Sequence, residues 1–489
     1  MTNVDEVRAR LGIVREFAAS TGVDRVKVAV LDTGFDGIGP GRSYLPADAE
    51  LVAQYDPEFV RKFDLGDPEY RKDLEPGNRH GRVMAQIVWA VSGKDPRGPK
   101  FYLLNANGPT MLRRAVRLAI ERRVDVILFS GSFEGGGSGD GRGPINRVAA
   151  DALAAGIVWI NAAGNYGRRV YEGPVRILND GYLRLRDGSD VASLRFRNRL
   201  DDNGVTITLT WNDYRDMEDA GTTKDLDLLV EDPAGRRVGA GEKVQVGPGP
   251  GEPGPEESRN PRERVVLANL PAAGDVANDP DYAYRIRVRA KGGSFDARDR
   301  IRILLTPTRE SYLPPGADAP REAIEFVDAS NEAEVYPPAD NPLVLTVGDA
   351  DPASSLGPTV DRRVKPDTVV ADSRAYFSDG EVSAGSSNSA AFVAGAVVLL
   401  KAAAPSLRPA DLLKIAREGD PVPASAVRSR TGSSGQSTTT VTAVLRSAGV
   451  PAPRAPVPAA VPKVIPSPGF HYWRMPTRAR LAQISRDGR

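Results

Sequence analysis

The sequence predicts an α/β protein built on a doubly wound, mostly parallel sheet, into which an antiparallel β-sandwich is inserted. Two observations predict this architecture. Before residue 170, short apolar runs alternate with helical segments, which is the rhythm of β-α-β units. Between residues 175 and 307 the apolar residues instead recur at every second position, with Gly, Pro, Asn and Asp between the runs, which is typical of antiparallel strands.

The composition fits a globular protein of several domains and excludes several functions. The chain has 489 residues, of which 40% are hydrophobic and 26% are charged. The chain has 65 basic and 64 acidic residues, so its net charge is close to zero. It therefore has no overall electrostatic field that would attract nucleic acid or anionic lipid. No apolar run reaches the length of a membrane span and the N-terminus is charged, so we expect a cytoplasmic protein. Without cysteine the chain has no disulfide, thiol nucleophile or thiolate metal site.

The first strand ends at a carboxylate. A helix is predicted over residues 6–19 and a buried strand over residues 26–31, and Asp32-Thr33-Gly34 follows directly. Functional groups collect at the carboxyl ends of parallel strands, so Asp32 is well placed for chemistry. The alternative is an aspartate that caps or forms a turn.

A histidine begins the next predicted helix, after polar loops over residues 39–78. His80 precedes an apolar helical face formed by Val83, Met84, Ile87, Val88 and Val91. The chain has only two histidines, and the other, His471, lies in a Pro-rich segment. His80 is therefore the better candidate for a general base, although a structural histidine is the alternative.

The alternation then continues through strands within residues 99–107, 124–132 and 156–167, with helices predicted over residues 110–123 and 145–155. Two strand ends carry small or polar residues that suit a binding site. The first is Ser130-Gly131-Ser132, and the second is Ala162-Ala163-Gly164-Asn165. Taken alone, Asn165 also fits a left-handed turn residue.

The predicted domains are a first part of the core over residues 1–174, the inserted β-sandwich over 175–320, a second part of the core over 321–450, and a Pro-rich, basic and mobile tail over 451–489. We expect the sandwich to be a separately packed module hinged on the core. Asp225 and Asp227 share one face of a strand and could help to hold calcium, the alternative being a solvated face. No other metal and no cofactor is predicted.

A buried helix is predicted within residues 382–400, VSAGSSNSAAFVAGAVVLL, with Ser387 in its first turn. The N-terminus of a helix offers unpaired N–H groups and a partial positive charge, which favour an anion formed beside the serine hydroxyl. An acyl-transfer nucleophile needs such surroundings. The alternative is a serine that only caps the helix.

These motifs resemble those of subtilisin-like serine peptidases. GSSNSAAFVAG is similar to the nucleophile motif of that family, with Ser386 where the family usually has Thr; DTG, HG and AAGN resemble its aspartate, histidine and oxyanion-hole motifs. The four occur in the family's order. The resemblance implies that Ser387 attacks the substrate carbonyl, His80 transfers the proton, Asp32 orients the imidazole, and Asn165 holds the oxyanion.

The same resemblance implies a peptide or protein substrate bound along two stretches: Ser130, Gly131 and Ser132, and Ala162, Ala163 and Gly164. Because these residues are small, we expect a broad pocket that favours large apolar side chains before the scissile bond. Glu134 is expected to turn out to solvent; if it faced the pocket, it would favour Lys or Arg. A peptide-binding pseudoprotease and a peptide-maturing acyl transferase remain alternatives to hydrolysis, and the sequence carries no signal for the oligomeric state.

Overall fold

The computed structural model describes residues 1–13, 22–38, 45–52, 78–93, 97–188, 191–199, 203–217, 221–270, 283–308, 324–327, 333–418, 420–423, 466–472, 480 and 483–484. Its helices are α1 (Val4–Arg10), α2 (His80–Ser92), α3 (Pro109–Glu121), α4 (Pro144–Ala154), α5 (Ser386–Ala403) and α6 (Pro409–Arg417), with a short 3₁₀ helix over Val23–Arg25.

The strands fall into two groups. Those of the central sheet are β1 (Lys27–Asp32), β2 (Glu50–Val52), β3 (Lys100–Asn105), β4 (Val126–Phe129), β5 (Val158–Ala162), β17 (Leu345–Asp349), β18 (Thr368–Val370), β21 (Asp420–Pro423) and β22 (Pro466–Tyr472). The others are β6 (Val170–Pro174), β7 (Leu194–Asn198), β8 (Asn203–Trp211), β9 (Asp225–Glu231), β10 (Arg237–Gly241), β11 (Val244–Gln245), β12 (Glu257–Ser258), β13 (Arg262–Leu270), β14 (Tyr284–Gly292), β15 (Arg300–Pro307), β16 (Ile324–Phe326), β19 (Ala375–Tyr376) and β20 (Val382–Ser383).

The central sheet confirms the predicted mixed α/β fold. Its nine described strands run in the order β2-β3-β1-β4-β5-β17-β18-β22-β21, and every pair is parallel except β21 with β22. β1 lies between β3 and β4, with Val28 opposite Phe101 on one side and Val126 on the other. The strand order reverses at β1, so its carboxyl end, Asp32, lies at a switch point of the kind where open α/β sheets bind ligands.

Alternate residues of β1 point to opposite faces of the sheet, and each face is covered by helices. Val28 and Val30 join a cluster with apolar residues of α2, α5 and α6, whereas Ala29 and Leu31 join a cluster with residues of α3 and α4. Burial on both faces explains why β1 has a continuous apolar sequence instead of an alternating one.

Helix α5 runs through the middle of the first cluster. Ala390 through Leu400 are almost wholly buried. The helix is long and apolar enough to cross a membrane, but 83% of it is buried in the protein, as in the core helix of a globular domain. Gly395 lets α2 approach, because a Cβ at this position would lie 2.6 Å from Cβ of Val91.

Two antiparallel sheets lie between β5 and β17 in sequence. One has the order β10-β9-β14-β7-β16 and the other β13-β8-β15-β6. Their inward-facing residues form one hydrophobic cluster, which contains Phe196, Ile207, Leu228, Ile286 and Ile303. These strands extend from residue 170 to residue 326, so β6 already belongs to them although the sequence places the boundary at residue 175.

The Pro-rich C-terminal segment differs from its prediction where the structure describes it. Residues 466–472 form β22, which pairs with β18 and β21 at one edge of the central sheet. This part is therefore a strand and not a mobile tail. β21, which also contains proline, is the edge strand on this side of the sheet, and an edge strand tolerates proline because one side of its backbone needs no ladder partner.

Candidate active site

Asp32 ends β1 with a buried carboxylate, 6% exposed, whose two oxygens have separate partners. Oδ1 accepts hydrogen bonds from the backbone N–H groups of Thr33, at 2.8 Å, and Gly34, at 3.2 Å. Oδ2 lies 2.7 Å from Nδ1 of His80. The turn after the strand thus holds the carboxylate in one orientation toward the imidazole.

His80 is the first residue of α2, and its side chain is 39% exposed. Since the Asp32 carboxylate only accepts hydrogen bonds, we assign the ring proton to Nδ1, which leaves Nε2 as the basic atom. Gly81 permits this contact: a Cβ there would lie 2.5 Å from Cβ of Asp32, and its N–H donates to the carbonyl of Gly34 at 2.7 Å. The His-Gly pair is therefore a steric requirement of the aspartate turn.

A cleft of about 230 Å³ opens over this pair. Its wall is built from the ends of β1, β3 and β4, where the loops after the strands leave the sheet. The lining residues are Asp32, Thr33, His80, Ala106, Asn107, Gly108, Phe129, Ser130, Gly131, Ser132 and Phe133. Three predicted substrate-binding residues, Ser130, Gly131 and Ser132, thus share a cleft with the Asp32–His80 pair.

Ser387 is the second residue of α5 and is half-buried. Its backbone carbonyl accepts a hydrogen bond from Ser130 Oγ at 3.4 Å, so it adjoins the wall of the cleft. Its own hydroxyl has no hydrogen-bond partner in the part of the chain that the structure describes. Gly385, just before the helix, has φ of +114°, a conformation that favours glycine.

A buried polar network that the sequence did not predict fixes the chain before Ser387. The N–H of Gly385 donates to Ser373 Oγ at 2.8 Å, and Ser373 Oγ donates to Asp349. Asn388 Nδ2 donates to the carbonyl of Ser373 at 2.9 Å. Burial raises the pKa of Asp349 to about 6. The network sets where the first turn of α5 begins.

Asn165 follows β5 and lies beside the start of α5. Its Oδ1 accepts hydrogen bonds from Ser386 Oγ, at 3.0 Å, and from the Ser386 N–H, at 3.3 Å. Ser386 is wholly buried, and its Oγ accepts from the N–H of Gly164 at 3.2 Å. Because Oδ1 takes both Ser386 donors, Nδ2 is left as a donor, and no other described residue occupies it. The sequence did not predict these contacts of Ser386. Its only indication was that Ser386 directly precedes the predicted nucleophile.

The two predicted substrate-binding stretches, residues 130–132 and 162–164, are called the first and second walls below. Part of the second wall lies in the core. Ala162 and Ala163 are buried, and the N–H of Ala163 pairs with the carbonyl of Val347 at 2.8 Å. Gly164 is half-buried with φ of +104°. The two walls are linked, because Asn161 Nδ2 donates to the carbonyl of Gly131 at 3.0 Å.

Glu134 does not turn out to solvent, contrary to the expectation from its Gly-rich loop. It is half-buried, and burial raises its pKa while the charges of Arg264 and Arg262 oppose that shift. Its carboxylate accepts a hydrogen bond from the hydroxyl of Tyr166. The physical reason is that β13 brings two arginines over the loop, which the sequence alone does not reveal.

The antiparallel sheets support the loop over residues 133–143 from behind. Ser138 Oγ accepts from the N–H of Tyr214 at 3.1 Å, and the N–H of Gly143 donates to Asp216 Oδ1 at 3.1 Å. Arg302, 3% exposed, donates to the carbonyls of Val335, at 3.0 Å, and Gly137, at 3.4 Å. These contacts join the antiparallel sheets to the loop, and the expectation of a separately packed module hinged on the core stays a prediction.

The calcium prediction stays a prediction. Asp225 and Asp227 both lie on β9, and Lys291 Nζ is 3.6 Å from Asp227 Oδ2. Asp227 is buried, so the alternative of a solvated face does not describe it. Within the described ranges, no three His, Cys, Asp or Glu side chains form a group that could hold a metal ion.

Comparison with known proteins connects this geometry to one family. A model of the subtilase family matches residues 317–435, which contain Ser387. The CspB protease of Clostridium perfringens is similar in structure, with a TM-score of 0.53 at 16% identity over 99% of this chain and 98% of that chain. The chain has a subtilisin-like fold. The predicted resemblance to subtilases is thereby confirmed, and it includes the segment that carries the candidate nucleophile.

Two other solved structures are less similar to this chain, and nothing is inferred from them. MycP1 with its N-terminal propeptide removed gives a TM-score of 0.33 at 16% identity over 84% of this chain and 86% of that one. The macrocyclase PatG in complex with peptide gives 0.18 at 12% identity over 34% of this chain and 56% of that one. No curated protein matches the sequence.

Proposed function

We propose that this subtilisin-like chain is a serine endopeptidase, with Ser387 as nucleophile, His80 as general base and acid, and Asp32 as the residue that orients His80. The observation that carries the proposal is the 2.7 Å contact between His80 Nδ1 and Asp32 Oδ2 at the edge of a cleft. A carboxylate in this position selects the tautomer whose Nε2 can accept a proton, and it stabilises the imidazolium that forms.

The reaction begins when Ser387 Oγ attacks the carbonyl carbon of the peptide and its proton passes to His80 Nε2. The carbonyl oxygen becomes an oxyanion. Asn165 Nδ2 and the Ser387 N–H then donate to it, and the N-terminus of α5 adds a favourable dipole. Ser386 supports this role, because its two donors occupy Asn165 Oδ1 and leave the amide nitrogen toward the site.

The intermediate collapses when the C–N bond breaks and His80 returns the proton to the departing amine. A water molecule then attacks the acyl-enzyme, again losing its proton to His80, and the acid leaves as Ser387 recovers its hydrogen. The Ser387 hydroxyl approaches Nε2 in this cycle. Such catalytic hydrogen bonds often form fully only when substrate is bound.

Covalent labelling with a fluorophosphonate tests the proposal, because this reagent reacts only with an activated serine. We expect the protein to be labelled at Ser387, identified by peptide mass spectrometry. Ser387→Ala should abolish labelling and lower peptide hydrolysis by about 10⁶-fold. His80→Ala should be about as damaging, and the double variant scarcely worse, because the two residues act as one unit.

The matched control is Ser389→Ala, which removes a buried hydroxyl from the same helix two residues further on; that hydroxyl has no partner in the described ranges. It should keep both labelling and hydrolysis. Unaltered labelling of Ser387→Ala would remove Ser387 as the nucleophile. Labelling without hydrolysis, together with product formed on added amines, would instead show transfer to an amine.

A further inference from the structure

Tyr166 lies between the two walls that should hold the substrate side chain preceding the scissile bond. Its hydroxyl is 2.7 Å from Ser132 Oγ, on the first wall. On the second wall, a Cβ added to Gly164 would lie 2.9 Å from Cδ2 and 3.0 Å from Cε2 of the Tyr166 ring. One aromatic ring therefore spans the space between Ser132 and Gly164.

The ring is fixed at both ends. The Tyr166 hydroxyl accepts from Ser132 and donates to Glu134, so both its hydrogen-bonding roles are used. The ring meets Tyr336 edge to face, with centroids 5.3 Å apart. The backbone is held as well, because the N–H of Tyr166 donates to Ser355 Oγ at 3.0 Å. Moving the ring away would break its hydrogen bonds to Ser132 and Glu134 and its contact with Tyr336.

The support behind the ring is also rigid. Tyr336 is 1% exposed, and the guanidinium of Arg302 lies over its ring at 4.1 Å from the centroid. Charge balance keeps Glu134 in place, because Arg262 and Arg264 lie nearby. The Tyr166 ring is thus backed by a buried aromatic ring and a charge-balanced carboxylate, which oppose its displacement by a large substrate side chain.

We propose that Tyr166 fills the specificity pocket, so that the enzyme cleaves after small residues such as Gly, Ala and Ser. This inference rests on the proposed peptidase function. It replaces the expectation of a broad pocket, which considered only the small residues of the walls. The pocket is narrow because the side chain that closes it comes from the position directly after Asn165.

Two peptidyl diphenyl phosphonates that differ only in the residue preceding phosphorus, an alanine or a phenylalanine analogue, test the proposal. Both label the nucleophile covalently, so the ratio of their labelling rates reports pocket size without requiring turnover. We expect the alanine probe to label the native enzyme at least about tenfold faster, since misfit in an apolar pocket changes rates by roughly 10- to 200-fold.

Three variants sharpen the result. Tyr166→Ala should open the pocket and reverse the ratio in favour of the phenylalanine probe. Tyr166→Phe keeps the ring, so it should keep the native preference. Tyr182→Ala removes a half-buried tyrosine that forms an isolated bridge with Arg289 and does not line the cleft, so it should leave the ratio unchanged. If Tyr166→Ala does not fold, Tyr166→Leu, which shortens the side chain while keeping it apolar, should shift the ratio in the same direction.

The failures of the two proposals are distinguishable. If the phenylalanine probe labels the native enzyme as fast as the alanine probe, Tyr166 does not close the pocket, but the labelling still supports the peptidase. If neither these probes nor a simple fluorophosphonate labels Ser387, the peptidase proposal itself fails. Cleavage of a mixed peptide library mainly after Leu, Phe, Lys or Arg would likewise overturn the assignment of Tyr166.

Discussion

Ser386 donates its hydroxyl to Asn165 Oδ1 at 3.0 Å, and its backbone N–H reaches the same oxygen at 3.3 Å. The residue before the proposed nucleophile thereby decides which end of the Asn165 amide faces the site. Ser386→Ala should lower kcat by about tenfold with little change in KM, because only transition-state binding is weakened. Ser386→Thr retains the hydroxyl and should restore most of the activity.

A double-variant cycle separates this positioning role from a general structural one. Asn165→Leu alone should lower kcat by roughly 10² to 10³ with little change in KM. Adding Ser386→Ala to it should cause no further loss, since the group that Ser386 positions is already gone. Losses that multiply in the double variant would show that Ser386 acts independently of Asn165.

Asp32→Asn should lower kcat by about 10⁴ while the protein remains folded. The amide can donate to His80 Nδ1, so the other tautomer is favoured and Nε2 carries the proton instead of accepting one. Steady-state kinetics with a chromogenic peptide would measure the loss. The control is Asp36→Asn, a substitution at an exposed residue four positions further on, which should leave kcat unchanged. Equal losses of kcat in both variants would contradict the role of Asp32.

Arg302→Ala should lower both thermal stability and peptide hydrolysis. The substitution leaves the carbonyls of Val335 and Gly137 without their donor in a buried place, which reduces the free energy of unfolding by about 2–4 kcal/mol. The loop over residues 133–143 should then become more sensitive to proteolysis. Arg298→Ala, in the exposed turn before β15, is the control and should be near neutral. Native stability and activity in Arg302→Ala would show that Arg302 does not support this loop.

Glu263→Gln should stabilise the protein at neutral pH. Burial raises the pKa of Glu263 from 4.5 to about 7, so the folded state keeps a proton that the unfolded state has lost. The wild-type free energy of unfolding should therefore fall as pH rises from about 4.5 to about 7, and stay level above that. The neutral amide avoids this loss and can donate to Gln245 Oε1, which has no partner in the described ranges.

We expect a gain of about 1–2 kcal/mol at pH 8, after allowance for solvent screening, and little gain at pH 4. Thermal unfolding at both pH values measures it. Glu252→Gln, at an exposed glutamate on the loop before β12, should change neither value. A gain for Glu263→Gln that is equal at pH 4 and pH 8 would show that ionisation of Glu263 is not the cause.

The parts of the fold that follow from local pattern were predictable from the sequence. β1 and α5 have continuous apolar sequences because they are buried on all sides, and Asp32 was placed because it follows β1 directly. The contact between Asp32 and His80 was implied by the resemblance of the motifs to those of subtilisin-like peptidases. These features depend on residues that are neighbours in the chain or on a resemblance that spans the core.

Tyr166 and Glu134 could not be placed in the same way. In the sequence Tyr166 stands in a turn-like Asn-Tyr-Gly, and its role depends on Ser132, 34 residues away, and on Tyr336. Glu134 depends on arginines of β13. Proline content at residues 466–472 predicted a tail, because composition does not report whether a sheet edge is open to receive a strand.

The support of the loop over residues 133–143 by Tyr214, Asp216 and Arg302 bears on how this chain can diverge in evolution. Residues that touch across two packed units change together, because a substitution on one side selects for a compensating one on the other. Gly139 and Arg302 should therefore co-vary among relatives, because a Cβ added at Gly139 would lie 2.8 Å from Cζ of Arg302. Relatives that lack the antiparallel sheets must stabilise the loop over residues 133–143 in another way, for example by a shorter loop or a bound ion.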